Sequence, residues 1–202
     1  MDVRKKNKTP EGRALGEFFD SYSQMVREGL ESVDRKELEH AFQLISSAIK
    51  SGRRIYSAGN GGSAAIADHL CCDWTKGTDH EKFPVLRSQS LMSNVSLLTA
   101  LANDFEYSQS ISRQVKYYAD KNDIVILISS SGNSPNVVQA AEVAIKSGAK
   151  VVGLTGFSGG KLNELADVKL HIPISNYGVV EDCHQSIMHV LAQFIARDRD
   201  KT

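Results

Sequence analysis

"RRIYSAGNGGSAAIADHLCCDW" (residues 53–74) runs from a short apolar segment into a loop with three glycines and two serines, then into a helical pattern. Strand, glycine-rich loop and helix in that order form the repeating unit of an α/β fold, and ligands gather at the loop between strand and helix. The helix that follows carries His69 and Asp73 four residues apart, on one face. Further along, "DIVILIS" (123–129) is an unbroken apolar run of the kind buried on both faces of a parallel sheet. "SSSGNS" (129–134) follows, then "SPNVVQAAEVAIKSG" (134–148), a helix with Ser134 placed to cap it, Pro135 in its first turn and Gly148 at its end.

Other strands are predicted at "FPVLRS" (83–88), "AKVVGLTG" (149–156) and "VKLHIPI" (168–174). Helices are predicted over 62–74, "SNVSLLTALAND" (93–104), "YSQSISRQVKYYA" (107–119) and about 180–196. Upstream of this alternation lie two amphipathic helices. The first has Leu15, Phe18, Phe19, Tyr22, Val26 and Leu30 at helical spacing; the second opens on Asp34 and Glu37 as a capping-box pair and aligns Leu38, Ala41, Phe42, Ile45 and Ile49. They either complete the core or pack against a partner chain. Nothing divides the chain, so it reads as one domain over 1–202. A loose segment at 1–11 precedes the helical pair at 12–51 and the α/β core at 53–198.

Twenty-four acidic residues balance twenty-four basic ones, so no overall field draws the chain to nucleic acid or to an anionic membrane surface. Three cysteines, without a C-x-x-C pair, fit a reducing compartment. No signal-peptide pattern or membrane-length apolar run occurs. A cytoplasmic protein, engaging neither nucleic acid nor membrane, is the expectation.

The two loops share a chemistry. Glycines admit a ligand close to the backbone in "SAGNGGS" (57–63), where Ser57, Asn60 and Ser63 add donors; "SSSGNS" offers four hydroxyls ahead of a helix N-terminus. Neither contains lysine or arginine, so both suit a phosphorylated ligand held by neutral donors. Gly59, Gly61 and Ala64 also satisfy the dinucleotide fingerprint G-x-G-x-x-A, but the next strand ends near "LRSQS" without the carboxylate that fingerprint requires. A nucleotide is rejected on that ground.

With "GNGGS" (59–63), "AND" (102–104), "SSSGNS" (129–134), "LTGFSGGKL" (154–162) and "EDCHQSIMHVL" (181–191) in this order, the chain resembles the sugar isomerase (SIS) domain family, and within it the bacterial phosphoheptose isomerases. The resemblance implies a three-layer αβα sandwich around a five-stranded parallel sheet, a homotetramer with shared active sites, and one zinc ion per subunit. It implies phosphate contacts from Ser129, Ser130, Ser131 and Ser134, and sugar contacts from Asn60, Gly61, Gly62, Ser63, Asn103, Asp104 and Glu181. Metal ligation falls to His69, Asp73, Glu181 and His189, with Asp73 and His189 catalytic. The implied reaction is aldose–ketose isomerisation of D-sedoheptulose 7-phosphate to D-glycero-D-manno-heptose 7-phosphate through an enediol. Isomerisation of another sugar phosphate, and non-catalytic phosphosugar binding, are the alternatives.

Moving a proton between C1 and C2 requires a base, a group that shuttles protons to oxygen, and a donor or cation for the developing enediolate. Imidazoles and carboxylates supply these. Without the resemblance, His69 and Asp73 read as a surface ion pair and His189 as a core histidine. Phosphoheptose isomerases carry glutamate where this chain has Asp73, glutamine where it has Glu181 and histidine where it has Ala64. A carboxylate on a shorter arm is displaced by about an ångström, a shift that can cost on the order of a hundredfold in rate. Residues eight apart lie about 80° round a helix and residues seven apart within about 20°. By that measure Asp182 shares a face with His189 better than Glu181 does, whereas the resemblance selects Glu181.

Overall fold

A computed structural model describes residues 7–201. Five strands form one all-parallel sheet: β1 (Arg54–Gly59), β2 (Arg87–Ser90), β3 (Ile124–Ser129), β4 (Lys150–Thr155) and β5 (Val168–His171), in the order β2-β1-β3-β4-β5. Eight α-helices surround it: α1 (Leu15–Glu31), α2 (Arg35–Lys50), α3 (Gly62–Gly77), α4 (Val95–Phe105), α5 (Ser110–Tyr118), α6 (Pro135–Ser147), α7 (Gly160–Leu165) and α8 (Tyr177–Asp200). The expected αβα architecture with N-terminal helices is present.

Alternation along the buried strands sorts the core into two layers. Ile55, Ile124, Ile126, Ile128, Val152 and Leu154 face α2, α3 and α8, where Ile45, Leu70, Trp74, Ile187 and Leu191 meet them. Tyr56, Ala58, Val125, Leu127 and Val151 face the opposite layer with Ile111, Val115, Val137, Ala140 and Ala141 of α5 and α6. Strand order reverses between β1 and β3, whose residues Gly59 and Ile128 are register partners. The two loops therefore emerge side by side at the carboxyl edge, the switch point where open α/β sheets bind ligands.

Several local expectations shift. The second strand lies at Arg87–Ser90, four residues beyond the predicted start, because Pro84 lacks the donor that a ladder needs. A 3₁₀ turn (Tyr107–Gln109) precedes α5, and the last helix extends to Tyr177–Asp200 with Asn176 capping Val179 N. Pro135 and the left-handed Gly148 (φ 78°) bound α6 as predicted, but the Ser134 hydroxyl makes no cap and meets Ser129 Oγ instead, at 3.2 Å. Asp34 caps α2 through Lys36 N and Glu37 N. Glu37 does not complete a box; it accepts from Lys169 N of β5 at 2.6 Å.

The N-terminal helices enter the core to different extents. Ala41, Ile45, Ala48 and Ile49 of α2 enter the core. Helix α1 buries Met25 and Gly29, while Leu15 and Phe19 of its predicted stripe are 84% and 65% exposed. Residues 1–6 of the segment expected to be loose lie outside the described range. The rest is tied down: Lys8 N donates to Ser175 O (2.6 Å), and Asn7 Oδ1 accepts from Tyr177 N (2.9 Å).

Candidate active site

In the first loop Gly61 adopts φ +55° and lets the chain turn directly into α3. Asn60 ties three segments together. Its Nδ2 donates to Asn136 Oδ1 (2.9 Å), while its Oδ1 accepts from Asn136 Nδ2 (2.8 Å) and from the Tyr107 hydroxyl (2.7 Å). Asn136 and Tyr107 are additions that sequence reading missed; the asparagine directly after Pro135 was the available signal. Ser57, expected to face a ligand, is fully buried and donates to Ala67 O (2.9 Å), so it fastens β1 to α3. Ser63 is also buried. Asn103 and Asp104 stand exposed on the last turn of α4 and bond to each other (2.9 Å).

In the second loop Gly132 takes φ +64° with its α-carbon against the Gly159 carbonyl; a Cβ there would collide with that oxygen. Gly132 O accepts from Leu162 N (2.9 Å) and Asn133 Oδ1 from Lys161 N (3.0 Å), so the 156–162 segment braces the serine turn. Ser129 and Ser130 are buried, Ser131 and Ser134 half-buried. The buried Ser130 hydroxyl has no hydrogen-bond partner.

Away from the loops, α3 and α8 bring three side chains together. His69 Nε2 and His189 Nε2 each lie 3.3 Å from Asp73 Oδ2, and the two rings are 5.1 Å apart at 78°. One ligand atom from each of these residues falls within a 4.8 Å group. Two imidazole nitrogens and a carboxylate oxygen, partly exposed, are a donor set that could hold a metal ion. The histidines expected to converge do so.

Glu181, expected to join them, is not a member of this group. Its carboxylate lies over Gly62 at the start of α3, where a Cβ would strike it. Burial, followed by the adjacent Asp182 carboxylate, raises its pKa above the ordinary value. The face question is settled in favour of Glu181 all the same. Asp182 turns to α1 and accepts from the Tyr22 hydroxyl at 2.6 Å. Gln185, one turn before His189, occupies the space beside the rings, with Nε2 2.8 Å from His69 Nδ1 and 3.2 Å from His189 Nε2. The 80° offset between positions 181 and 189 is the reason.

His184 faces inward. Its Nε2–H donates to Thr155 O (3.1 Å), and complete burial lowers its pKa to about 4. His171 meets Thr155 Oγ1 at 3.0 Å through Nδ1, and burial lowers its pKa as well. Neither belongs to the cluster.

Paired hydroxyl and amide loops at a sheet switch point, with a histidine–carboxylate group on the neighbouring helices, define an α/β site for a small anionic ligand. The chain belongs to the SIS domain family, whose profile matches residues 17–156. It is 36% identical over 184 residues to a phosphoheptose isomerase of Aliarcobacter butzleri, covering 90% of this chain and 95% of that protein. Solved phosphoheptose isomerases superpose closely. That of Neisseria gonorrhoeae has a TM-score of 0.82 at 28% identity, covering 90% of this chain and 96% of that one. That of Francisella tularensis has 0.82 at 29%, covering 91% and 96%.

Proposed function

We propose that the protein is a phosphosugar aldose–ketose isomerase that converts D-sedoheptulose 7-phosphate to D-glycero-D-manno-heptose 7-phosphate. The convergence of His69, Asp73 and His189 from two helices carries this reading, because non-catalytic phosphosugar binding needs no such group.

Ser129, Ser130, Ser131 and Ser134 anchor the terminal phosphate. The unpartnered Ser130 hydroxyl is a donor that a phosphate oxygen would satisfy. The first turn of α6 adds backbone N–H groups. Asn60, Gly61, Gly62, Ser63, Asn103 and Asp104 line the sugar path, with Asn60 held rigid by Asn136 and Tyr107. Glu181, its carboxyl raised in pKa and facing the first loop, sits where it can exchange a proton with a sugar hydroxyl.

Asp73 removes the C1 proton of the ketose as base and returns it to C2, while His189 gives a proton to the oxygen on C2 as the enediol forms and takes one from the oxygen on C1 as it collapses. Zinc, one per subunit, fits His69, Asp73 and His189; when bound it polarises the carbonyl and stabilises negative charge on the enediolate. Asp73 and His189 cannot act as metal ligands and exchange protons through the same atoms at once, so their acid–base roles belong to the state in which those atoms are not ligating.

A homotetramer with shared sites fits the exposed apolar side chains on α1 (Leu15, Phe19) and α8 (Val190), beside His189. Among the described residues no helix is long and apolar enough to cross a membrane; with the neutral charge and sparse cysteines, this supports a cytoplasmic enzyme.

A substrate panel tests the proposal. Sedoheptulose 7-phosphate is expected to turn over fastest. Shorter phosphorylated ketoses should react more slowly, and unphosphorylated sedoheptulose not measurably. Faster turnover of another ketose phosphate would reassign the substrate, and binding without turnover of any member would reject the enzyme.

A further inference from the structure

Gln185 touches both imidazoles of the centre, and the direction of its amide decides the state of one of them. Its Nε2 lies 2.8 Å from His69 Nδ1. A ring nitrogen that accepts a hydrogen bond carries no proton, so a neutral His69 then holds its proton on Nε2, the atom facing Asp73 Oδ2 at 3.3 Å. In this tautomer the nitrogen turned toward the cluster has no lone pair for a cation. Half a turn of the Gln185 amide reverses the arrangement. Oε1 then accepts from Nδ1–H, and the lone pair of Nε2 faces Asp73 and His189. The same rotation replaces the amide hydrogen facing His189 Nε2, 3.2 Å away, with the acceptor Oε1, so its gain for the site lies at His69.

We propose that Gln185 is a positioning residue for the metal centre: one amide orientation closes the His69–Asp73–His189 site, and the other holds His69 in the metal-competent tautomer. The inference rests on the metal-centre reading above and extends it to a residue outside the donor set. A second partner on the distal ring nitrogen is how metal-binding histidines are ordinarily fixed, and its loss typically weakens affinity about 10- to 100-fold. Half-buried on α8 and one turn from His189, Gln185 can make this contact without any backbone movement.

The test measures Zn²⁺ affinity of the full-length protein by competition with a chromophoric chelator, for wild type, Gln185→Leu, Gln185→Glu and His69→Ala. Unfolding temperatures serve as a check on the fold. Gln185→Leu is expected to weaken Zn²⁺ binding about 10- to 100-fold. Gln185→Glu, which can only accept from Nδ1–H, should bind at least as tightly as wild type. Imidazole ¹⁵N spectra of the metal-free proteins supply a readout independent of the ion: His69 should be the Nε2–H tautomer in wild type and a mixture in Gln185→Leu. Wild-type affinity and an unchanged tautomer in Gln185→Leu, while His69→Ala loses Zn²⁺, would overturn the role of Gln185 alone. Failure of the wild type to bind Zn²⁺ would overturn the metal centre and this inference together.

Discussion

The loops at the carboxyl edge of the sheet and the cluster on α3 and α8 are built by different means. Each loop is fixed chiefly by its backbone: β1 and β3 are paired in register up to Gly59 and Ile128, and Gly132 is wedged against Gly159, with the side-chain amides of Asn60 and Asn136 tying the first loop to the start of α6. The cluster is fixed by side chains alone, three rotamers meeting across two helices at 39–48% exposure for the histidines. Anchoring a phosphate needs a stiff frame of neutral donors. Moving protons needs groups that can change charge and therefore stay close to solvent. The comparison predicts that damage to the cluster lowers kcat, whereas damage to the loops raises KM.

The largest effect is expected at the cluster. Asp73→Asn and His189→Gln should each lower kcat on the order of a thousandfold, with KM changed far less. Steady-state kinetics checks this split, and a KM effect dominating in either variant would erase the distinction between the two regions.

Next comes acid stability of the frame. The pKa of His184 is about 4 when folded, against an ordinary 6.5. The unfolded chain therefore binds a proton that the native state refuses. The contribution is fully present above pH 6.5 and falls away as pH drops toward 4, by roughly 3 kcal/mol in all. Urea unfolding at pH 7 and pH 4.5 should show the loss in wild type and a smaller one in His184→Gln.

At the serine turn, Ser130→Ala or Ser134→Ala would remove one of the proposed hydrogen bonds to the phosphate. Each should raise KM roughly tenfold with kcat nearly preserved. A kcat loss larger than the KM change would show that the turn reaches into the chemistry.

The smallest effect separates Glu181 from its neighbour. Tyr22→Phe deletes the bond to Asp182 that joins α1 to α8 and should cost about 1 kcal/mol in stability, leaving turnover intact. Thermal unfolding beside an activity assay measures both.

Legibility in the sequence follows the same division. The loops were readable because strand, glycines and helix N-terminus are consecutive, and "IVILI" has one physical home, the sheet centre. Leu15 and Phe19 were legible as an apolar stripe but not in what the stripe packs against, and within this chain they face outward. Helical spacing placed His69 with Asp73. Convergence with His189 is a tertiary fact, reached beforehand only through the family resemblance. Tyr107 was silent because Asn60 lies 47 positions away, and Gln185 because its contact with His69 spans 116 positions. Helical angle ranked Asp182 above Glu181, but it is silent on the phenol of Tyr22, to which Asp182 turns.

The most direct measurement is ¹H NMR of metal-replete protein incubated with sedoheptulose 7-phosphate. New anomeric signals of an aldose 7-phosphate should grow with enzyme concentration in wild type and be missing with His189→Gln. A sugar phosphate that binds while its C1 protons and carbonyl stay unchanged over hours would contradict the account.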